Sequence, residues 1–217
     1  QWHVNQASEQ VYGGMAFGAE FHARRAIALL ERHRDQLAGM PALEVLILNA
    51  KCHLAKAMID SGKVDQGAEM MESILSDCPH QYTPLHTLSL LLATYPGSIG
   101  VSSEELVDLT EKALMFRPTD SNALAAAGIA HIRNDDLEQA KEYLDQAAGA
   151  MTAWEGLVLF PLAIVAAKLD DPQNADRLFA RGVAWMESSA PTQPIIREIH
   201  RWASRELRHE FSSEGSP

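Results

Sequence analysis

The side chains of this 217-residue chain that could do chemistry are few and scattered. Cys52 and His53 adjoin, and Cys78 and His80 follow further on, so zinc-ligand types are present. In an antiparallel helix pair the start of the first helix lies near the end of the second, which makes a shared site conceivable. Neither pair has the ligand separation of about two to four residues that zinc sites use, and the plainer reading is a half-buried helix cysteine and a turn cysteine. Gly13, Gly14 and Gly18 form a glycine-rich stretch, yet no Gly-Lys-Ser/Thr follows and no strand precedes it. Helix-terminal glycines explain it better than a phosphate loop. The nine histidines make no His-Glu-x-x-His pattern, and neither a Gly-x-Ser-x-Gly motif nor a kinase catalytic loop occurs. Asp135, Asp136, Asp170 and Asp171 stand where turns are expected, and carboxylates there favour the start of the next helix. The expectation is of no enzyme active site, no metal and no cofactor.

Composition narrows the class. Aromatic residues are 6% and hydrophobic residues 47% of the chain, β-branched runs are scarce, and Ala, Leu, Glu and Met are plentiful, so helix is favoured over strand. With 29 acidic against 18 basic residues the formal charge is -11, which repels a phosphate backbone and argues against a nucleic-acid partner. No run approaches the roughly 20 apolar residues of a membrane-spanning helix, so membrane insertion is not expected. Two cysteines are too few for a disulfide framework and fit a reducing, cytoplasmic compartment. The chain opens at Gln1 without a signal-like segment, and reads as a piece of a longer protein.

The elements are legible from spacing. Leu124, Ala127, Gly128 and His131, then Ala140, Leu144 and Ala147, mark two short helices on either side of a turn at Asn134, Asp135 and Asp136. The small residues Gly128 and Ala140 allow the pair to approach closely. The pattern returns 35 residues on, from Leu124 to Leu159, with Leu162, Ala163 and Ala166, a turn at Asp170, Asp171 and Pro172, then Ala175, Phe179 and Gly182. An earlier copy has Lys51, Leu54, Ala55 and Met58, a turn at Ser61, Gly62 and Lys63, then Gly67, Met71, Ile74 and Pro79. Gly62 suits the left-handed conformation that ends a helix. Between them lies a copy stretched at its turn: Leu85, Leu88, Ser89 and Leu92, a loop over 95–102, then Leu106, Thr110, Ala113 and Pro118. Ser103 before Glu104 and Glu105 reads as a helix start.

These copies resemble the tetratricopeptide repeat family, whose first helix carries Leu-Gly or Leu-Ala and whose second carries Ala, an aromatic or Leu, a small residue and then Pro. Repeats at 48–81, 82–119, 121–154 and 156–189 match. They depart from the pattern at Lys51, where a bulky apolar residue is usual, and in the missing closing proline of the last two copies. The resemblance implies an all-α, tetratricopeptide-type α-solenoid: a right-handed superhelix of antiparallel helix pairs over 1–190, with a divergent repeat at 1–40. A helical run over 19–37, with Phe21, Ala23, Ile27 and Leu30 inward, follows a degenerate helix around 11–17. Residues 191–217 supply a capping helix and a disordered tail, with Ile195, Ile199 and Trp202 on one face and Arg197, Glu198, Arg201 and Arg205 on the other. Leu91-Leu92-Ala93-Thr94-Tyr95-Pro96, Leu109–Leu114 and Ala180–Glu187 look like the C-terminal repeat arrays of certain large bacterial proteins, some with an upstream serine/threonine kinase domain.

In the family the first helix of each pair lines a concave face. Register places Asn49, His53 and Lys56 there from the first clear repeat, His86 and Leu90 from the second, Asn122, Ile129 and Arg133 from the third, and Phe160, Ile164 and Lys168 from the fourth. Lys56, Arg133 and Lys168 make a cationic thread, and Leu90, Ile129, Phe160 and Ile164 an apolar floor. A peptide with apolar anchors and some acidic character fits such a lining. Ile129 and Ile164 can equally pack against the adjacent repeat, because groove and core positions alternate within a turn. Some family members clamp a terminal carboxylate with Lys and Asn, which Asn49 with Lys56 and Asn122 with Arg133 only partly match. The expected function is a scaffold for a protein or peptide partner. The rival is a spacer or self-association element using array edges at Trp185 and Trp202.

Overall fold

The structure is a computed structural model that describes residues 2–12, 16–37, 39–40, 43–77, 82–95, 101–150, 155–189 and 194–213. Among these, twelve helices and no strand occur. Two compact units divide the chain, Gln1–Leu88 and Ser89–Pro217, with the boundary inside one helix.

The first unit holds α1 (Trp2–Tyr12), α2 (Ala16–Arg32), α3 (Arg34–Leu37), α4 (Leu43–Asp60), α5 (Val64–Asp77) and the start of α6 (Tyr82–Thr94). Helix α2 packs on both α1 and α4, and α4 on α5. Its core joins Val4 and Ala7 of α1, Ala23, Ala26 and Leu30 of α2, and Leu43, Ile47, Leu54 and Met58 of α4. The helix expected around 11–17 instead spans Trp2–Tyr12, and Phe21 is not inward but 63% exposed. The reason is steric: α2 turns the alanine stripe Ala19, Ala23 and Ala26 toward its neighbours, so close packing excludes a phenylalanine from that face.

The second unit holds the end of α6, then α7 (Ser103–Phe116), α8 (Ser121–Arg133), α9 (Leu137–Ala150), α10 (Gly156–Lys168), α11 (Pro172–Ser189) and α12 (Pro194–Ser213). Helix α7 starts at Ser103 as expected, but the cap is the preceding Ser102. Its hydroxyl accepts from Glu105 N–H while the Glu105 carboxylate accepts from Ser102 N–H, closing a capping box. Asp120 caps α8 by accepting from Asn122 N–H at 3.0 Å and Ala123 N–H at 3.1 Å.

The repeats end their first helices alike. Gly62, Asp135 and Asp170 take φ of 88°, 60° and 57°. The next residue in each case donates its N–H five residues back, Lys63 to Met58 O, Asp136 to His131 O and Asp171 to Ala166 O, at 2.8, 2.9 and 2.9 Å. This is one Schellman turn used three times, and it sends the second helix back along the first. Gly128 then decides how closely α8 and α9 meet, since a Cβ there would lie 2.5 Å from Leu144 Cγ.

Candidate functional site

At 100° per residue Asn49, His53, Lys56 and Asp60 fall on one narrow face of α4, and all four are half-buried. Lys56 Nζ donates to the Asp60 carboxylate at 2.9 Å, one turn along the same helix. His53 is held below the usual imidazole range, first by burial and then by the Lys56 charge. The stripe is therefore polar and its one lysine is already partnered. His86 of α6 is half-buried in the same unit.

On the corresponding face of the second unit the apolar positions are closed off. Ile129, Phe160 and Ile164 have no accessible surface, and Leu90 is 8% exposed. The amphipathic α12 lies on α10, burying its own Ile196, Ile199, Trp202, Ala203 and Leu207. His200 of α12 meets the Phe160 ring at 5.1 Å between centroids and stacks on Phe179 of α11 at 5.5 Å. Two residues on, the Arg133 guanidinium sits 4.4 Å above the Trp202 ring, and the Trp202 indole N–H donates to Glu206 Oε1 at 3.1 Å. Arg133 Nε also donates to the Ala93 carbonyl at 2.7 Å, at the end of α6. Burial lowers the Arg133 pKa to about 10, against the pull of the Glu206 carboxylate, so it stays a cation at neutral pH.

Of the expected lining, Asn49, His53, Lys56 and His86 keep accessible surface in the first unit, and Asn122, Arg133 and Lys168 do so in the second. The four apolar candidates are interior, because α8 and α10 are enclosed and helix residues three or four apart share whatever covers that face. Trp202, expected at a free edge, is 7% exposed and turned onto Arg133. Trp185 packs toward Gly156, where a Cβ would come within 2.7 Å of its ring. Cys52 is buried, Gly18 lies within α2, and Cys78, His80, Gly13, Gly14, Pro79 and Pro191 lie outside the described residues. Among the described residues no group of three or more His, Cys, Asp or Glu is placed to hold a metal, and no helix is long and apolar enough to cross a membrane.

Two features escaped the sequence. A recess of about 490 Å³ opens on the far side of α4 from its polar stripe, over Ile27, Leu54, Met70 and Ile74 with Lys51 and Glu69 at its edge. Its wall comes from α2, α4 and α5, so no local spacing announces it. A smaller cavity of about 230 Å³ lies beside Arg133, between Leu92 of α6 and Ser102, Ser103 and Leu106 of α7.

No protein-family model matches the sequence, and no curated protein matches it. Solved structures do share the fold. MamA MSR-1 superposes with a TM-score of 0.55 at 20% identity, over 87% of this chain and 97% of that one. MamA from Desulfovibrio magneticus RS-1 gives 0.57 at 14% identity, over 88% and 96%. A tetratricopeptide repeat protein from Parabacteroides merdae gives 0.53 at 16% identity, over 99% and 79%. The fold is thus an all-α solenoid of the tetratricopeptide type.

Proposed function

We propose that this chain is a protein-interaction scaffold, a module of a larger bacterial protein or complex, and that a peptide or protein partner engages the face of α4 bearing Asn49, His53 and Lys56. The observation that supports this most is the contrast between two faces in the same repeat register. In the second unit its apolar positions Ile129, Phe160 and Ile164 are buried, whereas in the first it carries the half-buried polar side chains of Asn49, His53 and Lys56. Half-buried amide, imidazole and ammonium groups offer directional hydrogen bonds to an extended backbone or carboxylate. Lys56 Nζ has N–H donors beyond the one it gives to Asp60, and a partner's carboxylate or backbone carbonyl would accept from these without breaking that pair.

A displayed random-peptide library selected on the wild-type protein tests the reading. Enriched peptides should lose at least about tenfold in affinity, about 1.4 kcal/mol, on Lys56→Glu and on Asn49→Ala. Equal affinity for wild type and for both variants, with unfolding midpoints unchanged, would remove this face from consideration. A second reading, a self-association element, is supported by Trp2, Phe17 and Phe21, which are 61%, 86% and 63% exposed on the first helix pair. Sedimentation that gives one concentration-independent monomer mass argues against it.

A further inference from the structure

The walls of the recess on the far side of α4 are held in place from two directions. Helix α5 lies tight against α4, since a Cβ on Gly67 would collide with the Ile59 side chain and stand 2.7 Å from the Ala55 carbonyl oxygen. Lys63, just before α5, donates to both carboxylate oxygens of Glu20 on α2, at 3.2 and 3.0 Å. Between these ties lies the recess of about 490 Å³, inside the range of about 300–1,000 Å³ that small-molecule sites occupy. Leu54 and Ile74, both buried, form its floor, and half-buried Ile27 and Met70 form its sides.

One cation opens onto this apolar surface. Lys51 takes the position where the repeat pattern usually carries a bulky apolar residue. A lysine must carry its ammonium toward water, so it lines the recess instead of plugging it. Among the described residues Lys51 is half-buried and makes no ion pair or hydrogen bond. The other two lysines of the first unit are both paired, Lys56 with Asp60 and Lys63 with Glu20. Counted outward from the turn at Gly62, the antiparallel pair sets Lys51 level with Ser73, and Leu54 level with Met70. Gln66 and Glu69 stand nearer the turn, so the cation marks one end of the recess and a carboxylate the other.

We propose that this recess binds a small amphipathic monocarboxylate, a medium-chain fatty acid being the simplest case. Its carboxylate would accept from the Lys51 ammonium, and its hydrocarbon body would cover Leu54, Met70 and Ile74. The lining residues of α5, from Gln66 to Ile74, span about 12 Å at about 1.5 Å per residue, which matches an extended eight-carbon chain. Glu69 at the far end repels a second carboxylate, so a dicarboxylate of the same length is rejected. With a formal chain charge of -11 the long-range field also repels anions, which leaves their retention to the local cation. The site shares no residue with the face proposed for the protein partner.

The test is a calorimetric titration of the full chain with octanoate, with suberate and 1-octanol as comparison ligands. Octanoate should fill one site per chain with sub-millimolar affinity, and suberate and 1-octanol should bind at least about tenfold more weakly. Lys51→Met, which keeps the stem and removes the charge, should weaken octanoate at least about tenfold and leave 1-octanol unchanged. In the wild type labelled at its methionine methyl groups, the Met70 resonance, assigned with Met70→Leu, should shift with the same midpoint. Absence of saturable octanoate binding at millimolar concentration overturns the proposal, as does a Met70 signal that stays in place, and neither readout needs a variant to fold. Equal octanoate affinity in Lys51→Met, or suberate or 1-octanol binding as tightly as octanoate, overturns it too.

Discussion

Phe160 and Gly182 form a pair in which the effect of Gly182→Ala should change sign once the Phe160 ring is removed. Phe160 is fully buried in α10, and its ring lies where a side chain on Gly182 of α11 would go: a Cβ there would stand 2.6 Å from one ring carbon and 3.0 Å from two more. A phenyl ring wedged between Phe179 and His200 cannot rotate away cheaply. In the wild type Gly182→Ala therefore meets an overpacking cost of about 1–3 kcal/mol. Better helix propensity offsets about 1 kcal/mol of it, leaving a net loss of about 0–2 kcal/mol. Phe160→Ala alone removes the ring and costs about 3–5 kcal/mol through lost burial and the cavity left behind. On that background the clash is gone, and Gly182→Ala should stabilise by about 1 kcal/mol. The coupling is then about 1–3 kcal/mol. Urea unfolding of the four proteins, followed by circular dichroism with the slope checked for constancy, measures it. Additivity within about 0.5 kcal/mol, or stabilisation by Gly182→Ala in the wild type, would refute the packing argument.

The shared turn geometry predicts that Asp135→Gly and Asp170→Gly each raise stability by about 1 kcal/mol, because glycine accepts the left-handed φ freely, while Gly62→Ala lowers it by about as much. Thermal unfolding midpoints check both directions, and a loss in the Asp→Gly variants counts against strain at these turns. His53 binds its proton more weakly when folded than when unfolded, so its contribution is present above the unfolded value near 6.5 and is lost as pH falls below it. His53→Gln should accordingly flatten the stability-versus-pH curve between about pH 5 and 7, read from urea midpoints at each pH. Glu20, lowered by hydrogen bonds from Arg24 and then Lys63, acts in a more acid window: its contribution is present above the ordinary carboxylate value and is lost below it. High salt should shrink the Glu20→Gln effect because Lys63 and Arg24 are well exposed, and an effect independent of salt would contradict the ion-pair account. Arg133→Ala should cost about 0.5–2 kcal/mol less on a Trp202→Ala background than in the wild type, since the ring it stacks on is then already gone. Equal costs in a double-mutant cycle would show that the ring contact carries no energy.

Local signals sufficed where a short stretch of chain decides its own conformation. The turns at Gly62, Asp135 and Asp170, the first-helix stripe through Leu159, Leu162, Ala163 and Ala166, and the close approach at Gly128 were all readable from spacing. So was the polar stripe of Asn49, His53 and Lys56, because residues about one turn apart share a face whatever packs nearby. Which faces remain accessible was not readable, because coverage is a property of the partner helix. Ile129, Phe160 and Ile164 satisfy the groove register and yet lie inside, in the unit where His200 and Trp202 of α12 reach Phe160 and Arg133 from dozens of residues away. Phe21 reads as a core residue by type, but the alanine stripe of α2 sets a helix separation too small to hold it. The recess over Ile27, Leu54 and Met70 likewise depends on how α2 and α5 dock on α4. The sequence alone determined most of the helices and the turns at Gly62, Asp135 and Asp170, since those follow from interactions within a few residues. Only the tertiary structure decided exposure, because burial is set by surfaces distant in the chain whose fit no local pattern encodes.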